Sequence, residues 1–177
     1  MWSHVAMDEQ SSGQLSAADR EHLERCVALA QEALDAGDEP FGSILVDSGG
    51  KELFADRNQV SGGDRTQHPE FAIARWAAAH LSVEERVRAT VYTSGEHCPM
   101  CAAAHASVGL GRIVVASSTA QLVSWRQEWG LDPGPVAPLP ISVVAPGVEV
   151  AGPDPELSRR VRALQARAQG IAGTSDA

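Results

Sequence analysis

Two short motifs constrain this chain more than its composition does: His68-Pro69-Glu70 and, thirty residues on, Cys98-Pro99-Met100-Cys101. Each carries a proline where a helix can begin, because a first-turn proline gives up an amide donor that has no intrahelical partner anyway. If one imidazole and two sulfurs hold one ion, the fold must bring two separate helix starts together. Cys-x-x-Cys spacing lets two thiolates share a tetrahedral Zn²⁺, His68 adds a third ligand, and the fourth position stays open for water. Thiolates at a helix amino terminus are favoured by its unpaired amides and local positive potential. Zinc lowers the pKa of a bound water from about 16 towards 7 in favourable sites. Two thiolates weaken that effect, so a nearby base is useful. Glu70, two positions past the histidine, can face the metal pocket without binding the metal and carry the proton.

Plainer readings stand beside this one. Cys-x-x-Cys at a strand–helix junction also suits a thiol–disulfide pair, which leaves His68 and Glu70 without a role. A closed structural zinc site would take its fourth ligand from His97 or His105. His97 adjoins Cys98 and would strain a shared tetrahedron, so a loop or pocket wall suits it better. His105, one turn beyond Cys101, suits packing.

Around the motifs the hydrophobic pattern alternates between helical and strand periods. Leu23, Val27, Ala30 and Leu34 recur at helical spacing within 15–36, Cys26 shares their face, and Ser16 with Asp19 offers a cap. Segments 43–47 and 51–55 read as a hairpin across Ser48-Gly49-Gly50, followed by a polar loop over 58–67. A helix is expected from Pro69 to about His80, a strand over 89–93, a helix from Pro99 to Val108, a strand over 113–116 and a helix over 120–129. A proline-rich stretch, 132–140, leads to an expected strand over 141–144 and a last helix over 154–169. The order predicts one layered α/β domain whose sheet of about five strands is covered on both faces.

The length of 177 residues fits a single domain, with 1–14 a flexible leader, 15–169 the folded domain and 170–177 a flexible tail. Asp and Glu number 23 against 14 Lys and Arg, a formal charge of −9. That balance repels a phosphate backbone, so no nucleic-acid partner is expected. No stretch approaches 18 consecutive apolar residues, so no membrane span is expected. Three cysteines, with Cys26 alone on an apolar helical face, do not suit an extracellular disulfide scaffold, and the cytoplasm is the expected location.

His68-x-Glu70 with Cys98-x-x-Cys101 resembles the zinc signature of the cytidine deaminase-like superfamily, in the branch of bacterial guanine and cytosine deaminases and tRNA adenosine deaminases. Further likeness lies in Pro40-Phe41-Gly42-Ser43, Asn58, Asp64-Arg65-Thr66-Gln67 before His68, and Thr93-Ser94-Gly95-Glu96-His97 before Cys98. It covers roughly 15–130. The resemblance implies a three-layer α/β/α domain with a mixed sheet of about five strands, a Zn²⁺ cofactor and a homodimer. It also implies hydrolytic deamination of an aminated purine or pyrimidine base or nucleoside, guanine-like or cytosine-like. By position, His68, Cys98 and Cys101 resemble the metal ligands and Glu70 the proton shuttle. Asn58 resembles the asparagine that bonds the substrate's polar edge, and Phe41 an aromatic pocket wall. His97 and Trp125 complete the expected substrate contacts, Trp125 and Trp129 also suiting core or interface packing.

Departures bear on substrate identity. Pro69 stands where alanine is commonest, Arg65 where proline is usual, and His97 where proline precedes the first cysteine. Family guanine deaminases read the guanine edge with a carboxylate after the fourth strand, but Ser117-Ser118-Thr119-Ala120-Gln121 has none. Glu128 or a carboxylate nearer the carboxy terminus would have to replace it. Two alternatives remain: a tRNA adenosine deaminase, which this acidic charge disfavours, and a non-catalytic zinc-stabilised interaction protein with a filled fourth coordination position.

Overall fold

The computed structural model describes residues 15–171; the expected leader and residues 172–177 of the expected tail lie outside the described residues. Helix α1 (Ala17–Asp35) starts at a capping box, in which the Ser16 hydroxyl accepts the Asp19 amide and the Asp19 carboxylate accepts the Ser16 amide at 2.9 Å. Its buried face carries Leu23, Cys26, Val27 and Ala30, the stripe that the helical spacing predicts.

Strands β1 (Gly42–Val46) and β2 (Glu52–Arg57) form the expected antiparallel hairpin. Asp47 Oδ1 closes the turn by accepting the amides of Gly49 and Lys51. Helix α2 (Pro69–His80) and a short helix α3 (Val83–Arg88) lead to β3 (Thr90–Thr93). Then come α4 (Pro99–Ser107), β4 (Ile113–Val115), α5 (Thr119–Glu128), α6 (Ile141–Val144), β5 (Val150–Ala151) and α7 (Pro155–Ala168).

The sheet order is β2-β1-β3-β4-β5. β1 is antiparallel to both neighbours, whereas β3–β4 and β4–β5 are parallel. The parallel pairs are joined through helices, as parallel neighbours require. Alternate strand residues face opposite layers. Ile44, Val46, Tyr92 and Val114 pack with α1, Trp125 of α5 and α7, while Leu45 and Val91 pack with α2, and Ile113 and Val115 with α4 and α6. The result is the expected three-layer domain with a mixed five-stranded sheet. At Gly42 any side chain would collide with Leu29 and the Cys26 carbonyl, so β1 runs hard against α1.

Three elements differ from the sequence expectation. Ile141–Val144 is a short helix, not a strand, and the fifth strand is the two-residue β5. Ile141-Ser142-Val143-Val144 has the β-branched content of a strand, but Pro140 enters in the extended conformation of a helix cap and the Ile141 amide is taken by Glu96. Tertiary capture overrides propensity there. Helix α3 was not expected, although its capping box, Ser82 with Glu85, is written in the sequence. Among the described residues no helix is long and apolar enough to cross a membrane.

Candidate active site

Helices α2 and α4 share one layer, and both begin at a site residue. His68 is the cap residue of α2 and Cys98 that of α4; both have extended backbones, both are followed by proline, and neither side chain caps its helix. The side chains are therefore free to turn towards each other. His68 Nδ1 lies 3.6 Å from Cys98 Sγ and 3.6 Å from Cys101 Sγ, and the two sulfurs are 3.6 Å apart. A tetrahedral zinc with sulfur at about 2.3 Å and nitrogen at about 2.0–2.1 Å has edges of roughly 3.8 Å (S–S) and 3.6 Å (S–N). The donors fit such an ion in type and spacing. Among the described residues no fourth histidine, cysteine or carboxylate joins the group.

The protons in this cluster are shared unevenly. Cys98 is drawn down to about 4 by its hydrogen bond with Cys101, with His68 adding to the effect. Cys101 is pushed far up by the same contact, burial and the nearby Glu70 adding to the rise. His68 is raised by its contact with Cys98. A cation here would replace that shared proton with its own charge.

Glu70, in the first turn of α2, is 5% exposed. Burial raises its pKa, and hydrogen bonds to its own amide and to Ser43 work against the rise. Its Oε1 lies 2.8 Å from Ser43 Oγ and 3.0 Å from Thr93 Oγ1. Neither hydroxyl figured among the expected site residues, but a serine inside the apolar run of β1 was a legible signal.

Asn58 is fully buried, and its Oδ1 accepts the Val60 amide at 3.1 Å while Nδ2 has no protein partner. Its own amide donates to Phe41 O at 3.0 Å, so the two expected substrate contacts are tied together. The Phe41 ring lies against Gly95, where a side chain would meet it. Asp38 braces both segments, pairing with Arg57 at 2.9 Å and accepting the Ser61 amide at 2.8 Å. Beside His68 lies a polar groove of about 240 Å³ lined by Asp64, Thr66, Gln67, Phe71 and Arg75.

One expected contact is placed elsewhere. Trp125 is buried with α1 and α7 on the sheet face opposite α2 and α4, because that apolar face of α5 covers the core. His97 is 1% exposed, its ring edge-on to His105 with centroids 5.3 Å apart. Burial, then the neighbouring imidazole, holds His97 well below its usual pKa, so it is neutral. His105 packs as expected and donates from Nε2 to Gly111 O at 2.8 Å.

Glu96 has a mechanical role that the sequence alone did not disclose. Its two oxygens accept the amides of Ile141 at 2.8 Å and Thr119 at 2.7 Å, which tethers the starts of α6 and α5 to the cysteine loop. Hydrogen bonds to a charged group contribute about 1.5–3 kcal/mol each. Glu96→Ala is expected to lower stability by about 3 kcal/mol, a fall of roughly 6–12 °C in Tm for a chain of this size. A calorimetric Tm within 2 °C of the parent would refute the tether.

Residues 16–117 match the family described as the cytidine and deoxycytidylate deaminase zinc-binding region. The chain is 33% identical over 149 residues to a probable cytosine deaminase of Schizosaccharomyces pombe, covering 78% of this chain and 90% of that one. It is 36% identical over 80 residues to the guanine deaminase of Bacillus subtilis, covering 45% and 51%. Among solved structures, a guanine deaminase from Nitrosomonas europaea shares the fold at a TM-score of 0.67 and 20% identity, over 88% of this chain and 86% of that one.

Proposed function

The chain belongs to the cytidine and deoxycytidylate deaminase zinc-binding family, and from that premise we propose that it is a zinc-dependent hydrolytic deaminase of aminated purine or pyrimidine bases or nucleosides. The observation that carries this reading is the meeting of His68, Cys98 and Cys101 at 3.6 Å spacing, next to the buried carboxylate of Glu70. Zinc, when bound, supplies the Lewis acidity that lets a water lose a proton near neutral pH. Glu70 takes that proton, delivers one to the ring nitrogen of the amidine and helps protonate the departing amine. At the amidine carbon a C–O bond forms and the exocyclic C–N bond breaks. The two water protons end on the ring nitrogen and on ammonia.

Asn58 orients the substrate. Because the Val60 amide occupies Oδ1, the free group is the Nδ2 donor, which suits a ring carbonyl or a bare ring nitrogen. Phe41 provides an apolar wall beside it. A small ligand suits the formal charge of −9 better than an RNA does. Ammonia release from a panel of aminated bases and nucleosides tests the reading. At least one is expected to turn over, and a zinc-loaded protein that releases none from the whole panel ends it. On the active substrate, Asn58→Ala is expected to raise KM roughly 10-fold, the loss of one buried hydrogen bond, with kcat moved less. An unchanged KM removes Asn58 from the binding set.

A further inference from the structure

Beneath Glu70 lie two hydroxyls that belong to one rung of the sheet. Ser43 of β1 and Thr93 of β3 are direct cross-strand partners in the antiparallel register, so their side chains leave the same face side by side. That face lies under the start of α2. Both hydroxyls reach the same carboxylate oxygen, Oε1, at 2.8 and 3.0 Å, and they stand 2.9 Å from each other. Both residues are fully buried. Ser43 is a lone polar side chain in the otherwise apolar strand Gly42-Ser43-Ile44-Leu45-Val46, and a hydroxyl buried there needs a partner to offset its desolvation.

The two hydroxyls are not equivalent. Thr93 Oγ1 also lies 2.7 Å from the Gly95 carbonyl, which can only accept, so the one threonine hydrogen is claimed by the loop leading to Cys98. Ser43 makes no such contact with a carbonyl: its hydroxyl reaches Glu70 Oε1 at 2.8 Å and Thr93 Oγ1 at 2.9 Å.

We propose that Ser43 is a positioning residue, whose hydroxyl fixes Oε1 of Glu70 so that the other oxygen, Oε2, is the one presented to the reacting groups. This rests on the deaminase reading given above, with Glu70 as the proton carrier. A carboxylate on a three-torsion side chain has several orientations available, and proton transfer needs one of them. The Ser43 hydroxyl, carried on β1, selects it.

Ser43→Ala tests this. With the active substrate, kcat is expected to fall about 10-fold, the usual scale for removing an outer hydrogen bond from a metal-site carboxylate, with KM within twofold and one zinc per chain retained. In Glu70→Asp, whose side chain is one methylene too short for the same grip, adding Ser43→Ala is expected to change kcat less than twofold. A crystal structure of metal-free Ser43→Ala is expected to show the Glu70 carboxylate turned from its parental orientation. Parental kcat in Ser43→Ala overturns the proposal, as does an equal loss in both backgrounds or a carboxylate that has not moved. Failure of the deaminase reading is a different result, a parent protein that releases no ammonia, and it leaves the crystallographic arm to decide what Ser43 holds.

Discussion

Glu70→Gln is expected to lower kcat by about 10²- to 10⁴-fold, the range that a positioned acid–base group contributes, while zinc content and Tm stay near those of the parent. Glutamine keeps the volume and still offers an oxygen to Ser43, so the fold has no reason to respond. What it cannot do is accept a proton from water and give it up again. The environment is tuned for that exchange: burial raises the pKa of Glu70, which makes the carboxylate a stronger base and its acid a donor closer to neutral pH. The sign follows. Activity needs the ionised form to start the cycle, so it is lost as pH falls through the raised value. Steady-state kinetics with metal analysis on the same sample decide the matter, and a glutamine variant with kcat within threefold of the parent removes Glu70 from the chemistry.

Removing the metal is expected to abolish turnover and to loosen the site. His68, Cys98 and Cys101 come from two helix starts that no disulfide joins, so an ion there links α2 to α4. With free zinc a thousandfold above Kd, binding stabilises the folded chain by about 4 kcal/mol, roughly 8–16 °C in Tm at this size. Chelation should reverse both effects and added zinc restore them. Protons compete with the ion for thiolates and imidazole, so chelation is expected to become easier as pH falls. Cys101→Ala should match the chelated protein. Cys26→Ala is the control: that thiol is buried with the core cluster of α1, and its loss should leave one zinc per chain. A chelated protein that turns over at the parental rate would refute the metal's role.

Much of this was legible in the sequence because the strongest signals are local. Pro69 and Pro99 mark helix starts at sterically suitable positions, and the alternation of Ile44 and Val46 against Ser43 and Leu45 fixes which layer each faces. Less could be read where long-range contacts decide. Ile141–Val144 is helical because Glu96, 45 residues earlier, takes its first amide, and no window centred on that segment contains the glutamate. Trp125 suited either a substrate contact or core packing by its aromatic character, and which face of α5 meets the core depends on α1 and α7, distant in sequence. The hydroxyl rung under Glu70 needs the strand register, which residue types alone do not supply.

The bracing of Phe41 and Asn58 has a consequence for how such a protein diversifies. These residues flank the hairpin and are joined through their backbones, with Asp38 pairing Arg57 and accepting the Ser61 amide beside them, while the ligands and Glu70 ride on α2 and α4. On the proposed reading, the residues that would admit a molecule and those that would transform it ride on separate pieces of the scaffold. Substitutions at Phe41 or Asn58 would then alter which molecule is admitted while leaving the ligands and Glu70 on their own helices.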